Sequence, residues 1–274
     1  MSLNIRGKKM LSIHVDEISR NIKEMCIEAN YYLSDDMKNA LYKAADQEEN
    51  PLGCQILNQL KENLAIAGEE QIPICQDTGM ACIFIDIGQD VHIVGGLLDD
   101  AINEGVRRGY EEGFLRKSVV KDPINRINTK DNTPAITYYN MVAGDKIKIT
   151  VAPKGFGSEN MSRIKMLKPS DGLQGVKDFI IETVKLAGPN PCPPIVIGVG
   201  IGGTFDKAAY LAKKALIRPL DKRNEDKFYS DLEEELLDTI NKLGIGPQGF
   251  GGKTTALGLN IETYPTHIAG LPVA

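Results

Sequence analysis

The amino-acid sequence predicts an α+β fold, in which a helical N-terminal region precedes short antiparallel sheets surrounded by helices. Two observations lead to this prediction. Apolar residues recur mainly at helical spacing over the first 70 residues, and the later strands come in pairs with helices grouped between them. We expect one domain over residues 1–274, helical over 1–70 and α+β over 71–274.

Three helices are predicted in the N-terminal region. Apolar residues follow three- and four-residue steps from Val15 to Leu33, which is the pattern of an amphipathic helix. Ser34 offers an N-cap for a second helix. Pro51 suits the first position of a third helix, which runs out near Glu69.

The middle of the chain is predicted to contain two hairpins with a helix between them. The four strands are 82–87, 91–94, 135–139 and 146–151. Each pair flanks a short turn that contains glycine and aspartate, as hairpin connections often do. The helix between the pairs is predicted over 97–116, so that Arg116 can be interpreted as a charge that caps its C-terminal end.

The last third is predicted to form a helix from Asp171, a strand from Ile195, and helices from Asp206 and Ser230. A glycine-rich turn, 198–204, follows the strand and matches the pattern Gly-x-Gly-x-x-Gly.

That pattern raises the alternative of a nucleotide-binding oxidoreductase. A dinucleotide site also needs an acidic residue at the end of a second strand about 20 positions later. The sequence has Arg218–Arg223 there without a strand pattern, so this alternative is the weaker one.

Charge and hydropathy limit the partners of this protein. The formal net charge is −5, and no block of like charge forms a tail, so nucleic acid is not an expected partner. No apolar run reaches the roughly 18 residues of a membrane span. The basic segment Met1–Lys9 lacks the following apolar stretch of a secretion signal, and we expect a cytoplasmic protein.

The five cysteines are odd in number, which fits a reducing compartment better than a disulfide framework. Cys26, Cys54 and Cys82 fall at a helix start or on apolar stripes, and they are most simply buried apolar residues. Cys75 and Cys192 do not fit this interpretation. They are left as candidates for catalysis or metal binding.

Cys192 is flanked by prolines at positions 191, 193 and 194, which remove backbone donors and hold the segment extended. A thiol on such a stiff segment is a possible iron–sulfur or zinc ligand. Without a partner cysteine at short spacing, the pattern alone leaves the question open.

The stretch 73–79 combines a thiol, an amide, a carboxylate and a hydroxyl in one turn between a helix and a strand. Loops held between rigid elements often carry functional sites. Asp77 could also simply accept hydrogen bonds from its own turn. His267 could be an interior histidine, and neither residue is convincing alone.

Several motifs occur together in a fixed order. They are Pro-Ile-Cys-Gln-Asp-Thr-Gly at 73–79, Leu115-Arg116, Gly157-Ser158-Glu159-Asn160, Cys192-Pro193-Pro194, Gly202-Gly203-Thr204, Gly249–Lys253 and His267. From about residue 10 to its end, the chain resembles the α subunit, or N-terminal half, of iron–sulfur hydro-lyases. These are the class I fumarate hydratases and the L-tartrate dehydratases.

The resemblance implies a [4Fe–4S] cluster held by three cysteines, with one iron open to substrate. Cys75 and Cys192 match the first two ligands, and the third is expected beyond Ala274. The chain stops in the apolar run Leu271–Ala274, whereas natural termini are more often polar. We therefore expect that it is truncated at the C-terminus or completed by another polypeptide.

The resemblance also assigns roles to residues that bind a small dicarboxylate. Gln76 and Asp77 match catalytic residues that also contact substrate. The other substrate-binding matches are Arg116, Gly157, Asn160 and His267.

The function that this resemblance favours is reversible hydration of fumarate to (S)-malate, with the open iron as Lewis acid. The alternative within the same chemistry is an L-tartrate dehydratase α subunit. The resemblance further implies a β subunit, without which the chain is inactive, and homodimerisation of α. The missing third cysteine keeps a non-catalytic scaffold subunit as another alternative.

Overall fold

The computed structural model describes residues 11–274, so the prediction about Met1–Lys9 lies outside the described residues. The mixture of helices with small sheets confirms the α+β class. The chain forms two compact units. The first contains the described residues up to Tyr32 together with Ala67–Gly155, and the second contains Leu33–Ile66 and Phe156–Ala274. The single domain over 1–274 stays a prediction.

The predicted helices and strands occur in the expected order, together with five additional elements. In chain order they are β1 (Leu11–His14), α1 (Val15–Tyr31), α2 (Asp35–Gln47), α3 (Pro51–Glu70), β2 (Met80–Gly88), β3 (Val91–Val94), α4 (Leu98–Glu112), β4 (Ile136–Val142), β5 (Ile147–Lys154), α5 (Phe156–Glu159), β6 (Lys165–Leu167), α6 (Gly172–Ala187), β7 (Ile195–Gly202), α7 (Phe205–Ala215), α8 (Lys227–Asn241), β8 (Ala256–Tyr264) and β9 (Leu271–Val273). The additional elements, which were not predicted, are β1, α5, β6, β8 and β9. Short 3-10 helices span Pro169–Asp171 and Pro247–Gly249.

The first unit is built around β2. This strand lies between β4 and β5, parallel to β4 and antiparallel to β5, while β1 pairs with β3 in parallel. Both predicted hairpins are therefore wrong, and the sheets contain parallel as well as antiparallel pairs. The reason is that β2 is apolar on both faces and takes the central position, which separates β4 from β5.

Helices α1 and α4 pack on each other and on this sheet, and they bury Ile22, Ile102 and Val106 with Ile83 of β2. Their close approach depends on small residues in α4. A Cβ at Gly105 would lie 2.6 Å from the backbone oxygen of Ser19.

The second unit contains a four-stranded sheet in the order β6-β9-β7-β8. Successive residues of β7 point to opposite faces of the sheet, and the two faces contact different helices. Val199 and Ile201 belong to the core with α6 and α8, whereas Gly198 and Gly200 face α7. A Cβ at Gly200 would lie 2.1 Å from the backbone oxygen of Ala208.

These glycines therefore allow a helix to pack closely on the strand. Gly198 and Gly200 lie within β7 rather than in a turn, and so they do not form a phosphate-binding loop. The nucleotide-binding alternative loses the motif on which it depended.

The structure also corrects two predicted helix boundaries, the end of α4 and the start of α8. Helix α4 ends at Glu112, and Arg116 lies beyond it in an irregular segment, so the interpretation of Arg116 as a helix-capping charge is wrong. Helix α8 begins at Lys227 rather than near Ser230, because the Asp226 carboxylate caps it by accepting from the Phe228 N–H at 2.9 Å. Across residues 11–274, every helix is too short or too polar to cross a membrane.

Candidate active site

The cysteines separate into two groups by exposure. Cys26 and Cys82 are buried and Cys54 is half-buried, whereas Cys75 and Cys192 are exposed. Burial raises the pKa of the Cys26 thiol to about 12, which keeps it protonated. Exposure thus singles out the two cysteines that the sequence analysis selected for metal binding.

The Cys75 turn connects α3 to β2 in the first unit. The Asp77 N–H donates to Cys75 Sγ at 3.4 Å, and the thiol donates to Gln76 Oε1 at 3.2 Å. Asp77 Oδ1 accepts from the Gly79 N–H at 3.0 Å, which confirms the expected bond within the turn. Cys75 and Gln76 are exposed and Asp77 is half-buried, so the turn presents three different functional groups at its surface.

Arg116 is attached to this turn through Thr78. The Thr78 hydroxyl accepts a hydrogen bond from the Arg116 N–H at 2.9 Å and donates one to the Arg116 carbonyl at 3.2 Å. Thr78 is only 2% exposed, whereas the Arg116 side chain is exposed. The motif therefore fixes the backbone of Arg116 and leaves its guanidinium available to a ligand.

The buried side chains of Tyr110 and Asn132 hydrogen-bond to the backbone at the end of the turn. The Tyr110 hydroxyl donates to the Thr78 carbonyl at 2.7 Å, and Asn132 Nδ2 donates to the Gly79 carbonyl at 3.1 Å. Asn132 Oδ1 also accepts from the N–H groups of Ser118 and Val119, at 2.7 and 3.1 Å. The sequence alone did not indicate Tyr110 or Asn132 as part of the site. The only signal for Tyr110 was a phenol on an apolar helix face, where a buried hydroxyl needs a partner.

The carboxylate of Asp77 lies against Gly155, the last residue of the first unit. A Cβ at that position would lie 3.2 Å from Asp77 Oδ2. A side chain at 155 would therefore press on the carboxylate, and this glycine keeps space beside it.

In the second unit, the Cys192 segment is short and constrained. Cys192 has a φ of +56°, its N–H donates to the Pro189 carbonyl at 3.0 Å, and its Sγ lies 4.0 Å from the Asn190 carbonyl oxygen. Gln248, which the sequence analysis did not select, donates from its side chain to the carbonyls of Cys192 and Pro193. The thiol is thus exposed on a backbone that is fixed on both sides.

The loop with Gly157 and Asn160 lies beside that segment. A Cβ at Gly157 would be 3.4 Å from the Asn190 carbonyl oxygen, the same oxygen that neighbours Cys192 Sγ. Glu159 in this loop pairs with Lys213 of α7 at 2.6 Å. Gly157 and Asn160 are exposed, so the loop is anchored through its neighbour and presents both positions to solvent.

His267 lies in the turn that follows β8. It is exposed, so the interpretation of an interior histidine is wrong. Its Nδ1 accepts from the Ala269 N–H at 3.1 Å, and the neighbouring Thr266 hydroxyl donates to the Gly203 carbonyl at 2.9 Å. A neutral imidazole whose Nδ1 accepts carries its proton on Nε2. His267 therefore presents an N–H donor.

The first unit thus brings together Cys75, Gln76, Asp77 and Arg116, and the second places Gly157 next to the segment of Cys192. No group of three or more Cys, His, Asp or Glu within residues 11–274 could hold a metal ion.

The exposed thiols, the exposed arginine and the exposed histidine therefore all lie on anchored segments of a mixed helix and sheet fold. The family model described as fumarate hydratase (Fumerase) matches residues 19–274, and the chain belongs to this family as a hydro-lyase α subunit.

Two relatives that match most of the chain are named as tartrate dehydratase subunits. The chain is 46% identical over 263 residues to the putative L(+)-tartrate dehydratase subunit alpha of Methanocaldococcus jannaschii, which covers 94% of this chain and 92% of that protein. It is 32% identical over 246 residues to the L(+)-tartrate dehydratase subunit alpha of Escherichia coli K12, which covers 88% of this chain and 80% of that protein.

Proposed function

We propose that this chain is the α subunit of an L(+)-tartrate dehydratase. The sequence analysis placed fumarate hydration first and tartrate dehydration second. The names of the relatives reverse that order, because the tartrate enzymes of two distant organisms are similar to most of this chain.

The observation that carries the hydro-lyase chemistry of this proposal is the attachment of Arg116 to the Cys75 turn through the hydroxyl of Thr78. Removal of water from a hydroxy dicarboxylate needs a group that fixes a carboxylate and groups that handle the leaving hydroxyl. Arginine offers a planar fork that matches a carboxylate in two hydrogen bonds. On one rigid support, the turn and Arg116 supply a guanidinium, a carboxylate, an amide and a thiol.

The donor chemistry of the two exposed cysteines fits an iron–sulfur cluster. Thiolates are the usual ligands of such clusters, and hydrogen bonds to their sulfur tune them. Cys75 Sγ receives a backbone N–H from Asp77, and Cys192 is exposed on a fixed segment. Cys75 and Cys192 are therefore the residues of this chain that would hold the cluster.

When bound, the cluster supplies an open iron that acts as a Lewis acid on a hydroxyl or a carboxylate. The side chains of the first unit do the rest of the work near Cys75. Arg116 binds a substrate carboxylate through both of its terminal nitrogens. Asp77 and Gln76 accept and donate hydrogen bonds at the hydroxyl that leaves or the water that enters.

In the second unit, His267 donates from Nε2 to a carboxylate oxygen, because Ala269 occupies its Nδ1. Gly157 allows substrate to approach the backbone of its loop, and the Asn160 carboxamide supplies a further polar contact. These roles provide orientation, which accounts for a large share of the rate in many enzymes.

A β subunit is part of this proposal. The relatives are named as alpha subunits, which implies a second subunit type in those enzymes. We assign to the β partner the remaining carboxylate-binding groups and the residue that transfers the proton. We expect the α chain alone to be inactive.

Fumarate hydration is the second candidate, and the description of the matching family favours it. Both reactions act on a dicarboxylate and break or form a carbon–oxygen bond. Tartrate differs from malate by one additional hydroxyl. A site that hydrogen-bonds a substrate hydroxyl rejects a substrate without it by large factors. Substrate preference therefore separates the two candidates clearly.

The experiment is an anaerobic assay of the α chain purified with its β partner from their complete reading frames. The substrates are L(+)-tartrate, its enantiomer, fumarate and (S)-malate. The proposal predicts the highest kcat/KM with L(+)-tartrate. A complex that converts fumarate and leaves L(+)-tartrate untouched would establish the second candidate, and turnover of neither would contradict both.

A further inference from the structure

The segment around Cys192 has few hydrogen-bond donors of its own. The prolines at 191, 193 and 194 carry no N–H groups. Cys192 itself has a φ of +56°, which residues with a Cβ adopt only when the surrounding structure enforces it. Two local contacts restrain it from within: the Cys192 N–H donates to the Pro189 carbonyl, and the Cys192 Sγ lies 4.0 Å from the Asn190 carbonyl oxygen. Other donors must come from elsewhere in the chain.

Gln248 donates three hydrogen bonds to the Cys192 segment. Its backbone N–H donates to the Pro193 carbonyl at 2.7 Å. Its side-chain Nε2 donates to the same carbonyl at 3.0 Å and to the Cys192 carbonyl at 3.3 Å. One residue thus holds the two carbonyls that precede and follow the Cα of Pro193.

Gln248 is held firmly in its turn. It has a φ of +53°, and the next residue, Gly249, lies so near the Cys192 segment that a Cβ there would be 2.4 Å from Pro189 Cβ. The Gly251 N–H donates to the Ile245 carbonyl at 2.9 Å and closes the turn. A fixed turn can impose a fixed position on the segment that it contacts.

We propose that Gln248 is a positioning residue that holds the Cys192 thiol in the orientation needed to bind iron. The iron-binding part rests on the proposed function, whereas the restraint on the thiol does not. In this proposal Gln248 acts through its hydrogen bonds to the carbonyls of Cys192 and Pro193. It does not itself touch substrate or cluster.

The test compares three variants. Gln248→Met keeps the length of the side chain and removes its donors. Gln248→Asn keeps a carboxamide and a residue that tolerates positive φ. Gln174→Met is the matched control, because exposed Gln174 lies on α6 of the same unit and donates to Asp178 at 2.8 Å. Thermal melting of each variant shows that it is folded.

The first readout needs no iron. In the cluster-free protein, mass spectrometry follows the alkylation of Cys192 by iodoacetamide, with Cys75 as the internal reference. We expect the Cys192 to Cys75 rate ratio to rise about threefold or more in Gln248→Met, the order expected for the loss of ordinary hydrogen bonds. Gln248→Asn should fall between Gln248→Met and the wild type, and Gln174→Met should match the wild type. An unchanged ratio in Gln248→Met overturns the proposal.

The second readout follows anaerobic reconstitution with iron and sulfide. We expect Gln248→Met to lose its cluster to a chelator about fivefold faster, with an altered electron paramagnetic resonance signal after reduction by dithionite, since the restraint on one ligand is weaker. Equal loss rates and identical signals would overturn the iron-binding part. If the wild type takes up no iron, the proposed function fails instead, and the alkylation ratio still decides the role of Gln248.

Discussion

The hydroxyl of Thr78 makes two hydrogen bonds to the backbone of Arg116, accepting from its N–H at 2.9 Å and donating to its carbonyl at 3.2 Å. Thr78 is buried, and its own carbonyl accepts from the Tyr110 hydroxyl at 2.7 Å. An interior side chain thus connects the turn that carries Cys75 to the segment that carries the exposed guanidinium. This connection leads to the first two predictions.

Thr78→Val removes the hydroxyl and keeps the shape of the side chain. The Arg116 N–H then loses its partner, and we expect a loss of about 1 to 3 kcal/mol in the free energy of unfolding, measured by urea denaturation. We also expect a higher KM for the dicarboxylate because Arg116 is less well placed. Thr78→Ser keeps the hydroxyl and should behave like the wild type. A Thr78→Val enzyme with unaltered KM would show that this connection does not position Arg116.

Arg116→Lys keeps the charge and removes the planar fork. If the guanidinium binds a substrate carboxylate in two hydrogen bonds, kcat/KM should fall by about 10- to 100-fold, while the visible absorption of the cluster is retained. Arg126→Lys is the control, because Arg126 is another exposed arginine of the same unit. Full activity of Arg116→Lys would remove Arg116 from the site.

Asparagine and glutamine at position 267 test the direction of the histidine donor. A glutamine amide reaches toward the position of Nε2, whereas an asparagine amide reaches the position of Nδ1, which accepts from Ala269. If Nε2–H binds substrate, we expect KM to rise about tenfold in His267→Asn and about threefold in His267→Gln. The reverse order in steady-state kinetics would mean that Nδ1 is the functional atom.

Glu48 makes the stability of the second unit depend on pH. Glu48 is 7% exposed, and its carboxylate accepts from the N–H groups of Asn50, Lys253 and Thr254 at 2.9 to 3.1 Å. Burial acts to raise the pKa of Glu48, but these hydrogen bonds outweigh it, and the pKa is lowered from its ordinary value. The carboxylate therefore stabilises the fold in its ionised form.

Since the folded pKa lies below the unfolded value of about 4.3, this stabilisation is present above that pH and is lost as the pH falls through the folded pKa. Glu48→Gln should lower the urea midpoint most near pH 7 and least below the folded pKa. Glu49→Gln is the control. The Glu49 side chain is 78% exposed, and among the described residues its one ion pair is with the Lys253 side chain. A difference that does not depend on pH would contradict this role of the Glu48 charge.

The sequence predicted the helices well and the strand pairing poorly. The helical periodicity that begins at Val15 is a local property, and α1 begins at that residue. Pairing depends on which strand occupies the sheet centre, and no local turn signal shows that β2 separates β4 from β5. The role of Gly200 also depends on a distant contact. Its motif resembles a phosphate-binding loop in the sequence, but in the structure Gly200 packs against α7.

At the candidate site, the sequence indicates residues whose type itself carries the chemistry. Cys75 and Cys192 are exposed, as expected for an isolated polar turn and a proline-flanked thiol, which are poor core segments, whereas their roles stay predictions. The residues that hold them were not predictable in the same way. Thr78, Asn132 and Gln248 act through hydrogen bonds to the backbone of distant segments, and such contacts arise only in the folded chain.

The central claim is that the two exposed thiols bind iron and so make this chain part of a hydro-lyase. Anaerobic reconstitution of the protein, expressed from its complete reading frame, with iron and sulfide tests it most directly, with Cys54→Ser as the control. The claim predicts the broad visible absorption of thiolate-to-iron charge transfer in the wild type and in Cys54→Ser, and its loss in Cys75→Ser and in Cys192→Ser. Undiminished absorption in either of the last two variants would contradict it.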